Sequence, residues 1–107
     1  MADVNERRFD LDALDPDDPF EIDDGNRPHL AKHAPYTEHD VLDAYHCGEP
    51  RYFPAPEPEH WLLVAHIPGA FVVIPLAPSR SGDPAKCRPI GIYSAPQHLV
   101  ALYEETG

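Results

Sequence analysis

Apolar residues in this chain gather in two dense runs and several sparse ones. The dense runs are HWLLVAHI (60–67) and AFVVIPLA (70–77), separated by Pro68-Gly69. Branched and aromatic residues on both sides of a Pro-Gly pair predict a β-hairpin. RYF (51–53) and CRPIGIYSA (87–95) predict further strands before and after it. FEID (20–23) is a short strand candidate that ends at the turn signal DDGN. Pro75 lies inside the second hairpin strand and has no amide donor, so that strand is expected to bulge there or to lie at a sheet edge.

The sparse runs have helical spacing. Asn26 is a capping residue type, and Pro28 suits a first turn because its missing N–H needs no partner there. RPHLAKHA (27–34) therefore predicts a short helix, ended by Pro35. Thr37 opens a second helix, with Asp40 three residues later as the other half of a capping box. Val41, Leu42 and Tyr45 share one face, and Gly48 with Pro50 stops the helix. A last helix runs over 96–105 from Pro96, and Leu99, Leu102 and Tyr103 are expected to face the sheet. The order is β-α-α-β-β-β-β-α. It predicts an α+β fold: an antiparallel sheet of about four strands, two N-terminal helices and one C-terminal helix, with the helices on one face.

Composition changes this picture at the N-terminus. Residues 1–24 hold ten acids against two bases, whereas 25–107 hold nine acids against six. Most of the net charge of −11 thus belongs to one end. Residues 1–19 are read as an acidic, flexible arm, and 20–107 as a single domain. The sharper idea for the arm is that it mimics nucleic acid or covers a basic surface. The chain has 14 prolines in 107 residues, well above the usual ~5%, which favours short elements and many turns. Cys47 and Cys87 have no CxxC spacing and read as two reduced thiols. MADVNERRFD lacks the apolar core of a signal peptide, and no apolar run approaches the ~20 residues of a bilayer span. A soluble, cytoplasmic chain with no membrane partner is the expectation.

The candidate chemistry centres on NRPHLAKHAP (26–35). His29 and His33 share the i, i+4 spacing of the H-E-x-x-H zinc helix, but Leu30 stands where that motif needs Glu. No metal and no cofactor are expected. A metal-independent endoribonuclease instead needs a base for the 2′-OH proton, an acid for the leaving oxygen, and cations for the phosphate. Lys32, Arg51 and Arg88 are phosphate-binding candidates. His33 or His29 can move protons, since histidine as a residue type titrates near neutral pH, and Glu38 can orient one of them. Trp61, Tyr52 and Phe53 offer a base-stacking platform, though core packing is the commoner role for such residues. No Gly-rich phosphate loop, G-x-S-x-G or Cys/His nucleophile pattern is present.

FEID followed by N-x-x-H-L-x-K-H-A resembles the opening of the BrnT-type toxins, small ribonucleases with a RelE-like fold from bacterial type II toxin–antitoxin pairs. The family pattern is a strand of the type F-E-W-D leading to N-x-x-N-L-x-K-H-G. Phe20, Glu21 and Asp23 match, with Ile22 in place of Trp. Asn26, Leu30, Lys32 and His33 match, with His29 in place of Asn and Ala34 in place of Gly. The dense hairpin resembles the family hairpin. Arg88, Ile90, Ser94, Ala95, Tyr103, Glu104 and Glu105 fit its closing R-I-I-S-A-R strand and Y-E-E helix. The likeness covers 20–105, interrupted by 54–59 and 78–86, and Pro96 stands where the family has Arg. The resemblance implies a translation-inhibiting endoribonuclease neutralised by an antitoxin protein. Lys32, His33 and Arg88 would then be catalytic, and His29, Arg51 and Arg80 would bind RNA, with no DNA binding by this chain itself. The alternative is a non-catalytic member of the same fold, acting as a protein-binding or regulatory module. A nuclease should gather its few cations on one face to hold a polyanion, and a binding module has no such need.

Overall fold

A computed structural model of the chain describes residues 8–31 and 36–106. The fold is α+β, as expected. Helix α1 (Arg27–Ala31) and helix α2 (Glu38–Cys47) precede strands β1 (Arg51–Pro54), β2 (Trp61–Ile67), β3 (Ala70–Pro78), β4 (Cys87–Pro89) and β5 (Tyr93–Ser94); helix α3 (Gln97–Glu105) closes the chain. The sheet is antiparallel in the order β1-β2-β3-β4, and β5 also pairs with β3. Among the described residues no helix is long and apolar enough to cross a membrane.

The hairpin forms the centre of the sheet. Its register pairs Ile67 with Ala70 and Trp61 with Leu76. Gly69 has φ +82°, and with Pro68 before it supplies the turn geometry that closes the hairpin. Successive strand residues point to opposite faces. Leu63, Ala65, Ile67, Val72, Ile74 and Leu76 meet Leu30 of α1 and Val41 and Ala44 of α2 on one face. Val64 and Val73 meet Leu99 and Tyr103 of α3 on the other. The expectation of helices on a single face is therefore corrected. Both strands are nearly continuous in apolar character, and such strands have both faces covered.

Pro75 behaves differently from its expectation. The strand that holds it is neither bulged out of register nor at an edge, since β2 lies on one side and β4 and β5 on the other. The Pro75 carbonyl accepts from the Ile90 N–H at 3.0 Å. In extended backbone the N and C=O of one residue point to the same side, so the missing donor also faces this neighbour. There the neighbouring chain leaves the ladder, between Pro89 and Tyr93. The single last strand read from the sequence is consequently two short ones. FEID likewise contributes only an isolated parallel bridge, Phe20 to Cys87.

Caps and tight contacts fix the ends of α2. The Thr37 N–H donates to Asp40 Oδ2 at 2.9 Å. At the other end the Gly48 carbonyl accepts from the His66 N–H at 3.0 Å. A Cβ on Gly48 would stand 2.4 Å from the His66 carbonyl oxygen and 2.6 Å from that of Ala44, so only glycine lets helix and strand approach this closely.

Residues 8–19, set apart by composition as an arm, run against the domain. Phe9 and Leu14 pack on the core. The Trp61 indole donates to the Phe9 carbonyl at 3.0 Å, and the Arg8 guanidinium lies over the Trp61 ring. The Tyr45 hydroxyl donates to the Pro16 carbonyl at 2.8 Å, and Lys86 pairs with Asp18 at 2.8 Å. Trp61 and Tyr52 pack against the core on this face and Phe53 against the cluster on the other, as the commoner reading of these aromatics holds.

Candidate functional site

The site grows from the turn between FEID and α1. Asp23 Oδ1 accepts from the Gly25 N–H at 2.8 Å, which shapes an Asx-type turn. Asn26 is buried, and its side chain joins three backbone segments: Nδ2 donates to the carbonyls of Glu21 and Pro89, and Oδ1 accepts from the Asp23 N–H. This holds the start of α1 against β4. On the far side, the loop after β3 brings Ser79, Arg80 and Ser81 to the same place. Between them lies a shallow cleft of about 290 Å³ lined by Gly25, Asn26, His29, Arg80, Arg88 and Ile90.

Two guanidinium groups close around Gly25. A Cβ at that position would be 2.9 Å from Arg80 Nη1 and 3.0 Å from Arg88 Nη2. A side chain there would crowd both guanidinium ends, above all that of Arg88, which its carboxylates hold in place. Arg88 is almost wholly buried, with 4% of its surface exposed. Its Nη1 donates to Glu21 Oε1 and Asp23 Oδ2, each at 2.8 Å, and its Nη2 to Asp23 Oδ1 at 3.1 Å. A buried guanidinium requires such partners, because an unpaired charge there would cost several kcal/mol, about 3 or more.

Glu21 is held from both sides. Its Oε2 accepts from the Ser79 and Ser81 hydroxyls, each at 2.7 Å, and its Oε1 accepts from the Arg80 N–H at 3.0 Å as well as from Arg88. Arg88 first, then the serine hydroxyls, lower its carboxyl from 4.5 to about 2. Arg88, helped by the Gly25 N–H, also holds the Asp23 carboxyl well below its ordinary range. Both carboxylates are therefore charged at neutral pH, and together they offset Arg88.

The sequence-derived residues distribute as follows. His29, Arg80 and Arg88 meet at the cleft although they come from α1, the β3–β4 loop and β4. His29 is exposed on α1. Arg51 does not join them: β1 is the sheet edge opposite β4. The Arg51 guanidinium stacks on the Tyr103 ring, 4.4 Å from its centroid, and donates to the Tyr103 carbonyl and to the Thr106 hydroxyl. It thus ties down the end of α3. Lys32 and His33 lie outside the described residues. Glu38, suggested as an orienting group for histidine, accepts instead from Arg27 Nε at 2.8 Å. Among the described residues no group of three or more His, Cys, Asp or Glu could hold a metal ion.

Sequence reasoning missed the partners of the cations. Glu21 and Asp23 alternate along FEID, and residues i and i+2 of an extended segment share one side. That spacing is the available signal that both carboxylates aim at one target. Ser79 and Ser81 have the same alternation around Arg80 in PSRSG.

Comparison with protein-family models, with curated proteins and with solved structures finds no match to this chain.

Proposed function

We propose that this chain is a small metal-independent endoribonuclease of the toxin type its sequence resembles, with the Gly25–Arg80–Arg88 cleft as the place where RNA phosphate docks. The observation that supports this reading is convergence. His29 lies 51 positions before Arg80 and 59 before Arg88, yet all three candidates for RNA chemistry line one cleft. The mouth offers the Arg80 guanidinium as a phosphate partner and the His29 imidazole as a proton carrier. The resemblance adds Lys32 and His33, which follow the last residue of α1 in sequence, as the second cation and the base. Arg88 is not free to clamp phosphate while both Glu21 and Asp23 hold it. Pinned by Glu21 and Asp23, it is a positioning residue that fixes the turn on which the cleft is built. Such an enzyme acts in the cytoplasm, where its RNA substrate is, and needs an antitoxin protein to restrain it.

One observation favours the non-catalytic alternative. Arg27 pairs with Glu38, Lys86 with Asp18, and Arg88 with two carboxylates. Those cations are offset by neighbours rather than aimed at a polyanion, and the whole chain carries −11. Inducible expression separates the readings. The nuclease reading expects growth arrest with RNA decay from the natural chain and neither from a Lys32→Ala/Arg80→Ala double variant. Arrest that persists in the double variant overturns the residue assignment. No arrest from the natural chain favours the binding module.

A further inference from the structure

The carboxylate of Glu21 sits in a pocket of donors that is more elaborate than an ion pair needs. Two serine hydroxyls, one backbone N–H and one guanidinium converge on its two oxygens at 2.7 to 3.0 Å. Three of these donors come from the consecutive residues Ser79, Arg80 and Ser81, and the two serine oxygens are 2.8 Å apart. Hydroxyls, a backbone N–H and an arginine are donor types that proteins use to hold phosphate. A carboxylate presents two oxygens to such a set, and a phosphate presents three or four. The donors are also reachable: Ser81 is exposed, and the Glu21 side chain keeps 18% of its surface.

We infer that the Ser79–Arg80–Ser81 loop and Arg88 form a phosphate-type oxyanion site whose resident occupant is the Glu21 carboxylate. Glu21 is then an internal competitor. Any phosphate that uses this loop must displace it, so the affinity of the natural chain for phosphate is held low by its own side chain. Asp23 remains on Arg88 after Glu21 leaves, which keeps the guanidinium oriented and limits how tightly the vacated site binds a second anion. This assignment concerns inorganic phosphate as well as its esters, and it stands whether or not the chain cleaves RNA.

The test removes the occupant. In full-length Glu21→Ala, titration with inorganic phosphate is expected to shift the amide resonances of residues 79–81 saturably, with binding at least about tenfold tighter than in the natural chain. Adding Ser79→Ala and Ser81→Ala to Glu21→Ala is expected to abolish that response. If Glu21→Ala does not fold in chloride, phosphate at matched ionic strength is expected to restore its circular dichroism and cooperative melting. A folded Glu21→Ala chain with no saturable shift overturns the inference. So does an equal response without the two serines, or an unfolded variant that phosphate does not rescue.

Discussion

Asn26 and Pro89, 63 positions apart in sequence, are joined by a buried hydrogen bond from the Asn26 side-chain amide to the Pro89 carbonyl at 3.1 Å. The same amide group also holds the Glu21 carbonyl at 2.9 Å, and the side-chain oxygen holds the Asp23 N–H at 2.8 Å. One residue thus fastens α1, the FEID segment and β4 together. Asn26→Ala leaves the buried Pro89 carbonyl and the part-buried Glu21 and Asp23 groups without these partners. It is expected to lower unfolding free energy by about 3 kcal/mol, read from the midpoint and slope of urea denaturation. A loss below about 1 kcal/mol would show that the three bonds are replaceable.

The Arg88 cluster makes stability depend on acid. Glu21 and Asp23 both titrate below their unfolded values. For a carboxylate lowered by folding, the unfolded chain takes up protons first, so stability falls as pH falls. The contribution of Glu21 is present in full above about pH 4.5 and is lost towards about 2. Melting temperature followed across this window is expected to drop steeply in the natural chain and less steeply in Glu21→Gln. Equal slopes would mean that other groups drive the acid transition.

Much of the fold can be read directly along the chain, because its signals are local. The Thr37 and Asp40 pair, the Pro68-Gly69 turn and the dense apolar strands each act within a few residues. Elements that depend on distant partners are less legible. The break between β4 and β5 is set by Pro75, which lies on the neighbouring strand. The candidate site divides in the same way. His29, Arg80 and Arg88 are visible as residue types, but whether a cation faces solvent depends on acids elsewhere. Arg88 is neutralised from 65 and 67 positions away, and Arg51 is drawn to Tyr103 52 positions away.

The contact at Gly48 sets a narrow steric limit. Gly48→Ala drives a methyl group into the carbonyl oxygens of His66 and Ala44, and neither is a flexible side-chain end. The expected cost is about 2–3 kcal/mol, measured by thermal or urea unfolding. A variant as stable as the natural chain would show that α2 can withdraw from β2 without penalty.

The two thiols should differ sharply in reactivity. Cys87 is fully buried beside Phe20, and burial, more than the neighbouring Glu21, pushes its thiol up to about 12. Cys47 is exposed at the end of α2. A thiol reagent at neutral pH is expected to label Cys47 quickly and Cys87 only after denaturation. Cys47→Ser should then remove the fast reaction. Fast labelling that survives in Cys47→Ser would place Cys87 in contact with solvent.

The central claim is that the cleft around Gly25 handles RNA, and cleavage of RNA by the purified chain in the presence of a metal chelator tests it most directly. The account predicts cleavage by the natural chain, loss in His29→Ala/Arg80→Ala, and retention in Arg51→Ala, because Arg51 serves the end of α3 at the opposite sheet edge. Arg80→Ala keeps the backbone N–H that Glu21 uses, so folding should be preserved. Absence of cleavage by the natural chain, or cleavage unchanged in the His29 and Arg80 double variant, contradicts the claim.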